Sequence, residues 1–419
     1  MTEIELESLD TKVYLEKLEN GLEIYLVPYE NKKNYFISYA TKYGSDVLTF
    51  DLDGEKYTPP LGIAHYLEHK MFEEPTGVDP FTYFSESGTD ANASTSYDST
   101  QYICYGTKKF KENLRYLIRF VNTPYFTNEN VEKEKGIIAE EIKMYDSIPD
   151  YKIEMKLREN VYKKLSRRYD IAGTIEQINK IKKEDLYKCY NSFYLPNNMF
   201  IFVVGNFKLT DAISVITSEL NQKPQYKIPK IYQVKEPKEV NKKEETIKEN
   251  IEIPKIGIAL KLLKKDLKLK EIELDLYLNM LVTILFGSSS EFREKVRNNN
   301  LLNDIYMEWE DTGDFKTFYL FASTKYPDKL LKEINKKFKN ISIDENYFSR
   351  IKKVWIANEV KMIDNIEKTE SNLFDDIISY NRIIPNRIEL IKNLDIKKLN
   401  TLIENIDFNN KSIIKMINN

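Results

Sequence analysis

The stretch from Ala64 to Phe72, AHYLEHKMF, contains His65 and His69, the two histidines of a 419-residue chain. Each residue of an α-helix advances by about 100° around the axis, so these two side chains would project from one face, one turn apart. Two imidazoles in that arrangement can bind a single Zn²⁺. Glu68 lies on the same side of the helix, where its carboxylate could take a proton from a water molecule at the metal.

The alternative for this histidine pair is an ordinary place on a protein surface or in a core. Two histidines scattered at random in this chain would lie four residues apart about one time in two hundred. Requiring a glutamate at the inner position, at ordinary abundance, lowers that chance to the order of one in two thousand. We therefore favour a metal site.

A catalytic zinc ion typically has three protein ligands and one open position for water. The chain has no third histidine, and Cys104 and Cys189 are far from the pair in sequence. A carboxylate must therefore supply the third ligand. The acidic predicted helix VEKEKGIIAEEIKMYD offers four glutamates, namely Glu132, Glu134, Glu140 and Glu141. Helical spacing puts Glu134 and Glu141 on nearly the same face, but geometry alone does not choose Glu141 over Glu140.

Length and composition predict a chain of two domains. The formal net charge is −3, which gives no electrostatic reason to expect nucleic acid or an anionic membrane as a partner. Two isolated cysteines exclude a disulfide framework and indicate a reducing compartment, so we expect a cytoplasmic protein. The acidic N-terminus does not resemble a signal peptide, and we expect no stretch as apolar as a membrane span of roughly 20 residues.

Local patterns predict an alternation of strands and helices in both halves of the chain. The segments VYLEKL and LEIYLVP flank Asn20 and Gly21, which favours a hairpin. Thr58 followed by two prolines is typical of a helix start, so LGIAHYLEHKMF is predicted to be a helix. The segments NASTSY, STQYICYG and NMFIFVVGNF are predicted to be strands.

Composition changes after about residue 221, where three prolines precede the charged run KEVNKKEETIKEN. We interpret residues 223–252 as a linker. It would separate a metal-binding domain, residues 1–222, from a histidine-free second domain, residues 253–419. The predicted fold class is α+β, with each domain built as a mainly antiparallel sheet covered by helices.

The segment GIAHYLEHKMF resembles the inverted zinc motif H-x-x-E-H of the pitrilysin/insulinase metallopeptidases, the inverzincins. Further segments resemble that family in the same order, from the hairpin LENGLEIYLVP to the end of the first domain, NSFYLPNNMFIFVVGNF. The similarity covers residues 18–207, about half of the chain. The chain resembles the bacterial two-domain form of the family, which is similar to processing peptidases.

The resemblance implies roles for individual residues of the first half. It makes His65, His69 and Glu141 the ligands of one zinc ion per chain. It makes Glu68 the general base and Glu134 a supporting carboxylate. It also makes the strand GTDANASTSYDSTQY an exposed edge, where an extended peptide could pair through its backbone with residues of that strand. The strand residues expected to bind substrate are Asn92, Ala93, Ser94 and Thr95.

In the second half, LFGSSSEFREKVRNNNLLNDIY resembles the stretch where active members carry an arginine and a tyrosine that reach the substrate. Arg297 matches the arginine, but Asp304 occupies the tyrosine position. Tyr306 is displaced by two residues, which keeps it on the same side of a strand. Either Tyr306 substitutes for the family tyrosine or that interaction is absent.

The resemblance implies a zinc-dependent endopeptidase that hydrolyses short or unfolded peptides in a chamber, with the two domains closing as a clamshell. Maturation of one specific peptide precursor is a narrower form of the same hypothesis. The alternative is a peptide-binding or assembly subunit that is active only with a paralogous chain, which the displaced tyrosine motivates. The family form also implies pairing, as a homodimer or as a heterodimer with a related chain.

Overall fold

The structure is a computed structural model that describes residues 1–7, 11–220, 224, 226–361 and 365–419. The strands in this described part are β1 (Thr2–Glu5), β2 (Lys12–Lys17), β3 (Glu23–Pro28), β4 (Tyr35–Thr41), β5 (Phe50–Leu52), β6 (Glu55–Tyr57), β7 (Asp90–Thr95), β8 (Thr100–Gly106), β9 (Met199–Gly205), β10 (Glu244–Glu249), β11 (Lys255–Leu263), β12 (Asp304–Asp311), β13 (Phe315–Ser323) and β14 (Lys411–Asn418). The α-helices are α1 (Ile63–Met71), α2 (Pro80–Glu86), α3 (Phe110–Val121), α4 (Asn128–Asp146), α5 (Pro149–Val161), α6 (Ile175–Ile178), α7 (Lys183–Phe193), α8 (Leu209–Leu220), α9 (Lys264–Leu267), α10 (Glu271–Phe286), α11 (Glu291–Asn298), α12 (Pro327–Lys339), α13 (Glu345–Lys361), α14 (Ile366–Tyr380), α15 (Arg387–Lys392) and α16 (Ile396–Glu404).

The first large sheet has seven strands in the order β1-β2-β3-β9-β4-β8-β7. Neighbouring strands are antiparallel except for β3 and β9, which are parallel. The central strands β4 and β9 are buried along their whole length, and both have mostly apolar sequences. Helices that include α1 and α3 cover one face, and α14 packs against β4 and β9. The predicted hairpin is present as β2 and β3.

The second large sheet has five strands in the order β10-β14-β11-β13-β12. Here β10 and β14 are parallel, and the other neighbours are antiparallel. Numbered by position along each half, this is the same order as β3-β9-β4-β8-β7 of the first sheet. The prediction of an α+β fold with two related, mainly antiparallel sheets is therefore confirmed.

The chain divides into two compact units that are discontinuous in sequence. The first unit comprises residues 1–143, 170–233 and 360–386, and the second comprises residues 144–169, 234–359 and 387–419. This division departs from the linear boundaries predicted above because α5 packs on β11 and β14, whereas α14 packs on the first sheet. The predicted boundary between residues 222 and 223 lies outside the described residues.

The interpretation of residues 223–252 as a linker between domains needs correction. This stretch contains β10, which pairs in parallel with β14 along six residues. The strand sequence EETIKE alternates between exposed and half-buried positions. Charged side chains occupy exposed positions (Glu244, Lys248) and half-buried positions (Glu245, Glu249) alike, so the sequence lacks the alternation of apolar and polar residues that is typical of a strand.

Helix α1 starts later than the sequence signal predicted, at Ile63 in place of the Thr58 region. Gly62 precedes it with a φ of 86°, a left-handed conformation that favours glycine. A Cβ atom on Gly62 would lie 2.3 Å from the carbonyl oxygen of Ala172. The close approach of these two backbones therefore fixes where the histidine-bearing helix begins. Thr58 instead forms a hydrogen bond of 2.8 Å with the hydroxyl of Thr49.

The expectation that no stretch is apolar enough to span a membrane was wrong for residues 271–298. By length and composition alone, this segment could cross a membrane. It consists of α10 and α11, and most of the side chains of α10 are buried. Phe286 of α10 stacks on Phe318 of β13, with ring centroids 6.2 Å apart. These contacts are those of a core helix, whose apolar surface faces the protein interior.

Candidate metal centre

The two histidines and Glu141 converge at one point in the first unit. His65 and His69 lie one turn apart on α1, with ring centroids 4.6 Å apart. Glu141, from α4, places Oε2 at 3.8 Å from Nε2 of His65 and at 3.4 Å from Nε2 of His69. One ligand atom from each of the three residues lies within 4.8 Å of the other two. The neighbouring Glu140 is exposed and pairs with Lys143 at 2.7 Å.

The donor atoms of this cluster fit a divalent cation. Oε2 of Glu141 is buried and has no hydrogen-bond partner within the described structure. A buried carboxylate oxygen without a partner is costly, and a bound cation would remove that cost. Two imidazole nitrogens with one carboxylate oxygen form a donor set that is ordinary for catalytic zinc.

The two histidines differ in their electrostatic surroundings. Burial and the nearby His69 lower the pKa of His65 to about 4, so its imidazole is neutral at physiological pH. Burial also lowers the pKa of His69, but the hydrogen bond to Glu134 and the nearby carboxylate of Glu141 outweigh this effect and raise it to about 9. A metal binds the neutral imidazole, so metal binding at neutral pH would release a proton from His69.

Glu68 lies on the same helix as the histidines and is 8% exposed. The hydroxyl of Thr95 donates a 2.9 Å hydrogen bond to Oε2 of Glu68. Burial raises the pKa of the Glu68 carboxyl, and the bond from Thr95 opposes that change. A carboxylate whose pKa is raised towards neutrality is a better proton acceptor for general-base chemistry than an ordinary one.

Glu134 lies behind the cluster, on the far side of His69 from Glu141. Its Oε1 is 3.1 Å from Nδ1 of His69, so Nε2 of that ring is left for a metal. Its Oε2 is 3.4 Å from Nζ of Lys70. Burial raises the pKa of Glu134, but His69 and Lys70 together lower it below its usual value.

Lys70 is a site residue that the sequence reasoning missed. Its side chain is fully buried, although lysine is almost never fully buried in proteins. It also contacts Glu73, three residues along the chain. The only sequence signal was the position of a lysine directly after a candidate metal ligand.

The predicted substrate strand lies at the edge of the first sheet. β7 pairs with β8, and no strand of the described chain covers its other edge. Asn92 and Ser94 are exposed on one face of β7, whereas Ala93 and Thr95 are half-buried on the opposite face. The side-chain oxygen of Asn92 accepts a hydrogen bond from the backbone N–H of Ala93 at 2.9 Å.

The remaining predicted site residues belong to the second unit. Arg297 is exposed in the last turn of α11. Tyr306 lies on β12, is 57% exposed and donates a 2.9 Å hydrogen bond to Oε2 of Glu308. Asp304 begins the same strand two residues earlier, so both side chains point to the same side of the strand. Their roles toward a substrate stay predictions.

Comparison with known proteins shows which family models the chain matches. Residues 55–175 match the family model described as Insulinase (Peptidase family M16). Residues 180–354 match the model described as Peptidase M16 inactive domain. The histidine pair and Glu141 all fall within the first of these two matches.

Individual relatives agree with that match. The uncharacterised zinc protease YmfH of Bacillus subtilis is 40% identical over 344 residues, which are 79% of each chain. An M16-like peptidase structure from Alicyclobacillus acidocaldarius is 28% identical, with a TM-score of 0.92 over 98% of this chain and 99% of that one. A protease structure from Helicobacter pylori, 20% identical, shares the fold with a TM-score of 0.84 over 97% and 99% of the two chains. The chain therefore belongs to the insulinase family, peptidase family M16.

Proposed function

We propose that the protein is a zinc-dependent endopeptidase that hydrolyses short or unfolded peptides. The observation that carries this proposal is the convergence of His65, His69 and Glu141, with Glu68 held beside them on the same helix. The names of relatives such as YmfH, a zinc protease, support zinc as the metal.

Zn²⁺ held by the two histidines and Glu141 would lower the pKa of a water molecule toward about 7 and polarise the scissile carbonyl. Glu68 would accept a proton from the attacking water and later pass it to the leaving amine. The Thr95 hydroxyl occupies Oε2 of Glu68, so Oε1 is the oxygen available for that transfer. Glu134 would orient His69 through Nδ1.

The free edge of β7 supports an extended peptide as the substrate. An added strand would form backbone hydrogen bonds with the segment from Asn92 to Thr95, close to the candidate base. Such pairing depends on the main chain of the substrate more than on its side chains. It therefore favours unfolded peptides with a loose sequence preference.

The substitution Glu68→Gln tests the proposed reaction directly. The amide cannot accept the proton, so peptide cleavage should fall by about 10²–10⁴-fold while zinc content stays at one ion per chain. Glu140→Gln is the matched control, because it removes a charge from the exposed neighbour of Glu141. Cleavage by the Glu68 variant at the wild-type rate would show that the assignment is wrong.

A second candidate is a subunit that cleaves only together with a paralogous chain. Asp304 at the family tyrosine position favours it. The first half of PqqL from Escherichia coli matches this fold over 100% of the chain, whereas the chain covers only 48% of whole PqqL. We propose that this chain corresponds to one half of such a protein and pairs with another chain. Stoichiometric zinc without turnover, followed by turnover when a paralogous chain is added, would favour this candidate.

Within the peptidase hypothesis, precursor maturation and general turnover predict different products. A digest of mixed peptides should give one dominant product set if a specific precursor is matured, and many products if peptides are degraded. We also propose a cytoplasmic location, which the two buried, unpaired cysteines Cys104 and Cys189 support. Fractionation of the producing cells tests that location.

A further inference from the structure

We propose that Lys70 is a positioning residue for the metal site and acts through Glu134 on the ligand His69. This inference rests on the proposed zinc site but not on peptidase activity. Three groups form a continuous chain of contacts. Nζ of Lys70 lies 3.4 Å from Oε2 of Glu134, and Oε1 of the same carboxylate lies 3.1 Å from Nδ1 of His69.

The two oxygens of Glu134 are divided between two partners. Because Lys70 holds Oε2, the carboxylate plane is fixed and Oε1 faces the imidazole. That contact retains the proton on Nδ1 and directs Nε2 of His69 towards Oε2 of Glu141, 3.4 Å away. Groups that hold a metal ligand in this way typically change metal affinity or activity by 10–100-fold when they are removed.

The burial of Lys70 argues against a merely incidental ion pair. Its side chain is 0% exposed, and desolvating an ammonium group is expensive unless it is well paired. Lys70 is also the cation that faces the acidic side of the centre, where Glu73 and Glu134 both contact it. An apolar residue could fill the same volume without that cost, so the buried charge of Lys70 indicates an electrostatic role.

The alternative is that Lys70 only ties α1 to α4 and has no effect on the metal. The two roles differ in what they predict for folded protein. A purely structural lysine would change the melting temperature but leave the affinity of the folded protein for zinc unchanged. A positioning lysine would change zinc affinity, and its effect would depend on Glu134.

The test is the zinc dissociation constant of the full chain, measured by competition with a chromophoric chelator. We expect Lys70→Met to weaken zinc binding by about 10-fold. Glu73→Gln is the matched control, since it removes the other partner of Lys70 and should leave the affinity within about twofold of wild type. Adding Lys70→Met to a Glu134→Gln variant should cause no further loss of zinc affinity, because the carboxylate that connects Lys70 to His69 is already gone.

Histidine nitrogen NMR gives a second readout that a structural role would not move. The chain has two histidines, so a ¹⁵N-histidine spectrum contains two rings. In zinc-loaded protein, Lys70→Met should shift the Nδ1 resonance of His69 and leave His65 unchanged. If Lys70→Met does not fold, Lys70→Gln replaces it, and Lys70→Arg should restore zinc affinity to within about threefold of wild type.

Unchanged zinc affinity in the folded Lys70 variant would overturn the proposal, as would an equal loss with and without Glu134. These measurements do not use peptide cleavage. A protein that binds zinc as described but cleaves no peptide would refute the proposed peptidase function and leave this inference intact.

Discussion

The hydroxyl of Thr95 donates a 2.9 Å hydrogen bond to Oε2 of Glu68. Thr95 ends the edge strand β7, and Glu68 lies on α1 between the two histidines. The bond therefore joins the strand that is available to a substrate backbone to the candidate general base. Any displacement of β7 on binding an extended peptide would be transmitted to the carboxylate that handles the proton.

We expect Thr95→Val to lower kcat by about 10-fold without loss of zinc. A hydrogen bond to a charged group contributes about 1.5–3 kcal/mol, here to holding the Glu68 carboxylate in place, and an increase of about 1.4 kcal/mol in the activation free energy lowers the rate tenfold. Thr95→Ser keeps the hydroxyl and should stay within about threefold of wild type. Steady-state peptide cleavage with metal analysis checks this, and an unchanged kcat for the valine variant would show that the bond is not used.

Glu141→Gln should weaken zinc binding by more than about 100-fold, because it replaces the anionic ligand. That loss of affinity is larger than the roughly 10–100-fold loss usually caused by removing a residue that only supports a ligand. Glu140→Gln changes the preceding residue on the same helix and should have no measurable effect. A chelator competition assay compares the two variants. Equal zinc affinities of the two variants would show that Glu141 is not the third ligand, and the other glutamates of α4 would then be tested.

Removal of zinc should lower the thermal stability of the protein. A ligand present at 100 times its dissociation constant stabilises the folded state by about 2.7 kcal/mol. For a unit of this size, that energy corresponds to a decrease in Tm of about 5–10 °C on chelation. Differential scanning calorimetry of wild type and of the Glu141→Gln variant provides the comparison, and the variant should show almost no response to chelator.

Glu370 should make the stability of the first unit depend on pH. It is 4% exposed on α14, and its Oε1 accepts hydrogen bonds from Ser38 at 2.8 Å and Gln101 at 2.7 Å. Burial and, to a smaller extent, Asp375 raise its pKa to about 7, although the hydrogen bonds from Ser38 and Gln101 oppose that change. The folded state therefore favours the protonated form of Glu370, which contributes to the stability of the folded state. That contribution is fully present below about pH 4.5 and is lost as pH rises to 7.

The Glu370→Gln variant measures that contribution. The difference between pKa values of 4.5 and about 7 corresponds to about 3 kcal/mol. The variant should match wild type near pH 4.5 and be more stable by up to that amount at pH 8, as read from denaturant unfolding at both pH values. Glu367→Gln, an exposed change on the same helix, controls for charge. A constant difference between Glu370→Gln and wild type would contradict this assignment.

The local part of the site could be predicted because one helix carries it. The spacing of His65, Glu68 and His69 within nine residues defines a common face without knowledge of the rest of the fold. Glu141 lies on another helix, and spacing alone could not distinguish it from Glu140 as the third ligand. Only the resemblance to known metallopeptidases favoured it, and the convergence of the three side chains agrees with that choice.

The parts that sequence reasoning missed depend on long-range packing. Lys70 pairs with the carboxylate of Glu134, 64 residues away, and the sequence pattern of one helix cannot predict a partner on another helix. Likewise, α14 has an ordinary amphipathic pattern, which predicts a helix but not which sheet it covers. The strand β10 was hidden because charged residues lie on both of its faces, so its sequence shows no alternation of apolar and polar residues.

The position of α14 also bears on the order in which the protein can fold during synthesis. Leu373, Phe374 and Ile377 cover apolar residues of β9, and Phe374 lies 5.2 Å from Phe200 between ring centroids. When the ribosome has made residue 233, the histidines and all seven strands of the first sheet exist, but this cover does not. The apolar face must wait until residues up to 386 emerge, so the metal-bearing unit completes its fold only after most of the chain has been translated.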